Sequence, residues 1–303
     1  MHPKTSNAPA EFSPMQWKLN MSEPSNRIAF QGEPGANSEI ACRDMYPGME
    51  PMPCPAFEDA FNAVESGAAR LAMIPIENTI AGRVADIHHL LPESDLHIIA
   101  EYFLPIRFHL MVLPGTKFED IRSVHTHVHA LGQCRNIIRE NKWQGVVAGD
   151  TAGGARQVSQ QTDRSRAAIA PELAAELYNL EIIRRDIADV ENNITRFVVL
   201  SNTPELPART PDKKMMTTFV FRVRNIPAAL FKAMGGFATN GVNMTKLESY
   251  QLGGTFFATQ FYADIEGHPD DPNVKLAFEE AGFFSDHVRI LGVYPADKFR
   301  AKM

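Results

Sequence analysis

The stretch Asp189-Val190-Glu191-Asn192-Asn193-Ile194-Thr195-Arg196-Phe197 separates a long region of alternating strand and helix patterns from a short C-terminal region with a different rhythm. It runs straight into Phe197-Val198-Val199-Leu200, a continuous apolar run of buried-strand character. An Asn pair, a Thr hydroxyl and a guanidinium therefore stand at the mouth of a strand. Open α/β sheets collect their ligand chemistry at such strand ends.

Working outward, the same junction recurs. A short strand over Arg27–Gln31 feeds Gly32-Glu33-Pro34-Gly35-Ala36-Asn37-Ser38, and a helix begins near Ser38. That geometry aims backbone N–H groups and the Ser38 hydroxyl at an anion, though a plain turn with an N-cap reads the same way. The apolar run Leu71–Ile76 ends in Glu77-Asn78-Thr79-Ile80-Ala81-Gly82-Arg83. Glu77 is expected to lock this turn by accepting backbone amides. A helix is expected from about Arg83 to Leu91, with Val84, Ile87 and Leu90 on one face. Val146–Gly149 runs through Asp150 into Thr151, which opens another helix. Leu96–Leu104 and Arg107–Val112 read as strands joined at Pro105, a crossing between two lobes. The pattern is α/β with parallel sheet character, and its cleft gathers the loops at Ser38, Asn78, Thr126, Thr151 and Thr195.

Ser123-Val124-His125-Thr126-His127-Val128-His129 tempts a metal reading, because alternate histidines share a strand face. Ala130-Leu131-Gly132-Gln133-Cys134 begins a helix, so the alternation breaks near His127, and no carboxylate is placed to complete a zinc set. A strand-to-helix junction that holds a substrate is the better reading, and no metal or other cofactor is expected. Cys42, Cys54 and Cys134 are too few and too irregularly spaced for a disulfide framework, which points to reducing cytoplasm. The net charge of −6 in 303 residues invites neither nucleic acid nor an anionic membrane, and no apolar run approaches membrane-spanning length. Residues 1–25 read as a flexible polar tail with no signal-peptide core.

Residues 203–214 carry three prolines and read as a linker. Beyond them, strands at Met216–Val223, Met244–Tyr250, Thr255–Ile265 and Val288–Tyr294, with helices from Ile226 and from Pro272, give the order βαββαβ. This is a ferredoxin-like module over 215–297. It is suited to dimerisation or ligand sensing rather than to an active site of its own.

The region Ile28–Leu200 resembles prephenate dehydratase. The resemblance rests on Phe30–Ser38, Ile74–Thr79, His127 with Ala130-Leu131, Asp150-Thr151-Ala152, Ala167–Ala170 and Asn193-Ile194-Thr195-Arg196-Phe197, in that order. The C-terminal region resembles an ACT regulatory domain. The implied architecture is a two-lobed, type II periplasmic-binding-protein-like catalytic domain over 26–202, followed by the ACT domain. Lobe 1 would take 26–103 plus 186–202, and lobe 2 would take 104–185.

The implied reaction is loss of water and carbon dioxide from prephenate in cytoplasmic phenylalanine biosynthesis. Arogenate dehydratase and a non-catalytic amino-acid sensor are the rivals. By resemblance Thr195 is the catalytic residue. Candidates for the substrate are Ser38, Asn78, Thr79, Thr126, His127, Thr151, Asn193 and Arg196, although Arg196 could equally brace its loop from behind. L-phenylalanine is implied as allosteric ligand at Asn225, Ala228, Ala229, Leu230, Glu248 and Ser249, in a homodimer or homotetramer.

The chain departs from the family pattern at several points. Val128 stands where Pro is common, and Asp150 where Ser is common. Arg83 stands where a small residue is common, and its charge is expected to offset part of that of Asp150. Pro227-Ala228-Ala229-Leu230 replaces Pro-Gly-Ala-Leu, and Glu248-Ser249-Tyr250-Gln251 replaces Glu-Ser-Arg-Pro.

Overall fold

The computed structural model describes residues 25–84, 87–209, 213–251 and 259–302. Most of the expected tail, three linker positions and the start of the strand expected at Thr255 lie outside these.

The first lobe comprises β1 (Arg27–Gln31), α1 (Asn37–Met45), β2 (Glu50–Cys54), α2 (Phe57–Glu65), β3 (Leu71–Asn78), β4 (Gly82–Arg83), α3 (Ile87–Glu93) and β5 (His97–Pro105). The chain crosses to a second lobe made of β6 (His109–Val112), β7 (Ser123–Thr126), α4 (Val128–Gln133), α5 (Arg135–Glu140), β8 (Gln144–Val147), α6 (Thr151–Ser159), β9 (Arg166–Ala170), α7 (Glu172–Leu177) and β10 (Glu181–Arg184). It returns as β11 (Ile194–Ser201), inserted between β3 and β5 and antiparallel to both. Both lobe sheets are mixed rather than parallel, because the return strand in lobe 1 and β6 in lobe 2 run against their neighbours.

Two local differences from the sequence expectations have physical causes. The strand β2 carries Pro51 and Pro53 and was not expected. It lies at the sheet edge and pairs only with β1, so the missing amides cost no ladder bonds on its free side. Arg83 opens no helix. Gly82 and Arg83 fold back on Asn78 and Glu77 as β4, and α3 begins at Ile87.

The C-terminal domain is β12 (Met215–Val223), α8 (Ala229–Thr239), β13 (Met244–Gln251), β14 (Thr259–Glu266), α9 (Pro272–Gly282) and β15 (Ser285–Pro295), closed by a 3-10 turn over Lys298–Lys302. Its sheet order β13-β14-β12-β15 is that of a ferredoxin-like βαββαβ fold. One face packs on α8 and α9 through stacked and edge-on contacts among Phe219, Phe221, Phe237 and Phe278. The other face is largely covered by lobe 1. Met216, Val220, Tyr250, Tyr262, Leu291 and Tyr294 join one buried cluster with Ile74, Ile76, Leu91, Ile98, Val198 and Leu200 of lobe 1.

At Gly292 the strand β15 also meets Ile98 of β5 in parallel, so the two sheets run on as one. A β-carbon at Gly292 would collide with the Ile98 backbone, so only glycine allows this approach.

Alternation along β11 divides the protein. Phe197 and Val199 join the core shared with lobe 2, while Val198 and Leu200 join the core shared with the C-terminal domain. Continued backward, this parity puts Thr195 on the lobe 2 side and Arg196 on the C-terminal side.

The interface has one conspicuous cost. The ring of His88 on α3 is 1% exposed, lies edge-on to Tyr262 at 5.0 Å, and neither ring nitrogen has a partner among the described residues. Burial, with Lys246 nearby, lowers its pKa from 6.5 to about 4. The folded state holds this ring neutral while the unfolded chain takes up its proton below pH 6.5. Stability is therefore lost as pH falls from 6.5 toward 4. Replacement His88→Leu should remove that slope. Relative to pH 7, the variant should gain on the order of 2 kcal/mol over wild type at pH 5. Urea midpoints at the two pH values measure this, and equal slopes in the two proteins would refute it.

A second local cost sits at Ala228, the N-cap of α8, whose φ of 61° lies in the left-handed region. Replacement Ala228→Gly should stabilise the protein by about 0.5–1 kcal/mol, the left-handed penalty less the entropy glycine loses. Thermal denaturation checks this, and a lower melting temperature would count against it.

Candidate functional site

The lobes enclose a cleft of about 580 Å³. Strand and helix ends from both lobes converge on it. Lobe 1 brings Ser38, Asn78, Arg83 and Thr195, lobe 2 brings His127, His129, Gln133, Asp150 and Thr151, and the returning chain brings Asn193. Phe57, Ile106 and Phe108 supply apolar wall.

The centre is a cross-strand pair. Thr195 on β11 stands opposite Asn78 on β3. The Asn78 Oδ1 accepts the amides of Ile80 and Ala81 at 2.9 and 2.7 Å. Those two bonds fix which way the amide points, so Nδ2 faces the other way. It donates to Thr195 Oγ1 at 3.0 Å and to Asn193 Oδ1 at 2.7 Å. Asn193 in turn donates from Nδ2 to Gln133 Oε1 at 2.5 Å. Thr195 Oγ1 is thus an acceptor within the protein, and its own proton is left for whatever occupies the cleft. Asn78, and not Glu77, accepts the turn amides. The signal for Gln133 was slight, since it sits in a helix start read only for its apolar face.

Next to this pair the ladder breaks. Arg196 faces Glu77, Phe197 faces Pro75, and Ile76 is the extra residue of a bulge. Glu77 and Arg196 point away from the cleft. The Arg196 guanidinium is 3% exposed and lies among Glu101 at 2.9 Å, Glu77 at 2.9 Å, Asp264 and the Tyr294 hydroxyl at 3.0 Å. Burial opposes its charge, but Asp264, Tyr294 and Glu101 raise its pKa well above the ordinary value. Glu77 and Glu101 are likewise held below the usual carboxylate range, burial being outweighed by their cationic partners. Lys246 of β13 adds a 2.6 Å bond to Glu77. Of the two roles open to Arg196, this geometry fits bracing and not contact with a ligand in the cleft.

Two further expected residues are committed elsewhere. Thr126 is fully buried and donates from Oγ1 to the Ile169 carbonyl at 2.5 Å, which ties β7 to β9. Thr79 donates to the Asn192 carbonyl at 2.8 Å, accepts from the Ile194 amide at 2.9 Å, and faces a separate hollow of about 220 Å³. Ser38, Asn78, His127, Thr151, Asn193 and Thr195 do line the cleft. Of the histidines, His125 ends in β7, His127 caps α4 and accepts the His129 amide at 3.4 Å, and His129 lies within that helix. No group of three metal-binding side chains occurs among the described residues.

The electrostatics are uneven. Arg83 is the one cationic side chain lining the cleft among the described residues. It also donates to the Ser249 carbonyl at 3.0 Å and lies 3.8 Å from Glu248. The remaining anion-binding capacity is backbone. The start of α1, a nine-residue helix whose N-cap Ala36 offers no side-chain bond, presents its first amides beside Ser38. The start of α6 is capped differently. Asp150 accepts the Gly153 amide at 2.6 Å and, across the lobes, the Glu33 amide at 3.2 Å. Glu33 pairs with Arg156 at 2.9 Å, and Tyr178 donates to the Pro34 carbonyl at 2.7 Å, so the lobes are pinned together beside the cleft. Of the positions the resemblance tied to phenylalanine, Asn225 and Ala228 are exposed on the turn before α8, whereas Ala229 and Leu230 begin the helix. Glu248 and Ser249 lie on β13 against Lys246 and Arg83.

The pattern of the prephenate dehydratase family matches residues 28–205. A protein of Komagataeibacter europaeus, described as a bifunctional N-acyl-homoserine lactone acylase/prephenate dehydratase, is 50% identical over 91% of this chain and 98% of its own. An Arabidopsis thaliana arogenate dehydratase/prephenate dehydratase is 36% identical over 89% of this chain and 73% of its own. Among solved structures, prephenate dehydratase of Arthrobacter aurescens in complex with L-Phe superposes with a TM-score of 0.81. It is 31% identical, with 89% of this chain and 92% of that one covered. The matched region holds both lobes and the whole cleft, and the chain belongs to the prephenate dehydratase family, dehydratases of aromatic amino-acid biosynthesis.

Proposed function

We propose that this chain dehydrates and decarboxylates a cyclohexadienyl dicarboxylate and accepts arogenate as well as prephenate. The observation that carries the reading is the Thr195 hydroxyl, fixed as an acceptor by Asn78 and free to donate into the cleft. Its proton bonds the ring hydroxyl as the C–O bond breaks. The electrons come from the bond to the ring carboxylate, which leaves as carbon dioxide while the ring becomes aromatic. Prephenate dianion thereby yields phenylpyruvate, carbon dioxide and hydroxide, and arogenate yields phenylalanine in place of phenylpyruvate. A threonine is too weak an acid to transfer its proton outright, so its part is a preorganised hydrogen bond at the developing charge. Arg83 and the free amides of α1 hold the carboxylates, and His127, Thr151 and Asn193 complete the wall.

Acceptance of arogenate is supported by Asp150 and by the plant relative whose name carries both substrates. Arogenate has an ammonium group where prephenate has a keto group. A carboxylate in the cleft wall attracts the ammonium and is repelled by the partial negative charge of the keto oxygen. We further propose that the C-terminal domain is an ACT domain that takes L-phenylalanine, the ligand of the Arthrobacter structure, in a cytoplasmic homo-oligomer. A second activity, cleavage of N-acyl-homoserine lactones, is raised by the 50% identical relative. Release of homoserine lactone by the purified chain would support it, and its absence would reject it.

Wild-type turnover and three replacements test the main reading. Replacement Thr195→Ala should lower kcat about 10²–10³-fold with KM nearly unchanged. Thr126→Val should cost about 1–3 kcal/mol of stability and leave kcat alone. No turnover of either substrate by wild type would sink the reading, and full activity of Thr195→Ala would sink the role of that hydroxyl. Replacement Asp150→Asn keeps a good helix cap. It should shift the kcat/KM ratio toward prephenate by about tenfold, near 1.4 kcal/mol. An unchanged ratio removes Asp150 from substrate discrimination.

A further inference from the structure

We infer that Asp264, Tyr294 and Lys246 of the C-terminal domain are positioning residues for the dehydration step, holding the Thr195–Asn78 pair from behind through Arg196 and Glu77. The inference rests on the function proposed above. It concerns residues that never touch the cleft.

The backbone holds this pair firmly from one side only, since β11 pairs in unbroken register with β5 from Ile194 to Val199 while its ladder with β3 is interrupted. A regular ladder would fix the rotation of β11 against β3, but the register breaks between Arg196 and Phe197, one residue from Thr195. A bulge leaves its extra residue unpaired and lets the strand bend and twist. The placement of β3, and with it Asn78, against Thr195 is therefore the part of the pair that the ladder leaves loosest.

The opposite face braces it. Successive residues on a strand point to opposite sides, so anchoring Arg196 fixes the rotation that aims Thr195. Arg196 is held by four groups, two of them, Asp264 and Tyr294, from the C-terminal domain. Those two are themselves locked by Thr218, whose hydroxyl lies 2.6 Å from each. The partner strand is treated alike. Glu77 is anchored by Arg196 and by Lys246, and its neighbour Asn78 is the donor to Thr195. Both members of the cross-strand pair thus have their chain neighbour fastened to the same domain. Arg196, Asp264, Tyr294, Thr218 and Lys246 are buried and Glu77 is partly so, and a buried ion pair that loses one member leaves a charge uncompensated. The network therefore allows few alternative arrangements, which is the property a positioning device needs.

The clamp acts on the geometry of a bond made in the transition state and not on the groups that hold the carboxylates. Its loss should therefore appear in kcat and not in KM. In the full-length protein, Asp264→Asn should lower kcat between about 10- and 100-fold, with KM changed less than about threefold. Tyr294→Phe, a milder change that removes a single hydroxyl, should lower kcat by a smaller factor in the same direction. Phe237→Leu, in the helix-side core of the same domain, is the control. It should lower the melting temperature and leave kcat per folded molecule at the wild-type value.

Hydrogen exchange gives a readout independent of turnover. In Asp264→Asn the amides of 194–197 should exchange faster while those of 198–201 stay protected. Equal kcat for wild type, Asp264→Asn and Tyr294→Phe would overturn the inference, as would a fall in Phe237→Leu matching theirs. If Asp264→Asn does not fold, Tyr294→Phe decides alone. If wild type turns over neither substrate, the proposed function fails, and exchange at 194–197 still decides whether the clamp holds the strand.

Discussion

A guanidinium removed from water is the constraint around which this molecule is arranged. Taking Arg196 out of solvent costs several kcal/mol unless its charge is matched on the spot. The match comes from three carboxylates and a phenol carried by β3, β5, β14 and β15. Two of these strands belong to the catalytic lobe and two to the C-terminal domain. Glu77 and Glu101 of lobe 1 more than match the charge, and the C-terminal domain completes the set by taking further guanidinium N–H groups with Asp264 and Tyr294 and by pairing the two glutamates with Lys246 and Arg300. The surrounding apolar cluster supplies most of the association energy, because it is larger and non-directional. The ion network supplies the registration, because its bonds tolerate little displacement.

The sequence made the strands of lobe 1 legible wherever apolar runs were unbroken, as at Leu71 and Phe197. It hid β2, whose prolines argue against a strand everywhere except at an edge, and edge position is a tertiary fact. It showed that hydroxyls gather at strand ends, but it could not rank them. Thr126 and Thr195 occupy the same kind of junction. The first is taken by the Ile169 carbonyl, while the second receives a hydrogen bond from Asn78 and keeps its proton. That difference depends on residues 43 and 117 positions away. Arg196 was open between two roles for the same reason. Strand parity says that it opposes Thr195, but only the topology says what lies on the opposite side.

In the proposed reaction the substrate carries two carboxylates, and the strand-turn-helix at Gly32–Ser38 already aims backbone amides at such an anion. Among the described residues, Arg83 is the one cationic side chain on the wall, and uncapped helix amides carry the rest. Amide donors suit a reaction in which charge is redistributed and not transferred. They are fixed in the scaffold and need no reorganisation as the hydroxide departs. The one cationic side chain is shared, since Arg83 reaches both the cleft and the carbonyl of Ser249 on β13.

That sharing bears on how the two domains can influence each other. Three of the contacts across the interface differ in how much displacement they tolerate. The apolar cluster can slide by small amounts, and the Gly292 junction with β5 is a single backbone bridge that rotation would strain. The Arg196 network cannot shift without unpairing a buried charge. A displacement of the C-terminal domain therefore has two ways to proceed. Either it carries Arg196 and Glu77 along and rotates the bulged strand pair that presents Thr195, or it breaks the network and leaves the pair without its rear support. Both routes end at the Thr195 hydroxyl. A signal in the C-terminal domain would then need no separate pathway through lobe 2, because the catalytic strand is itself part of the interface.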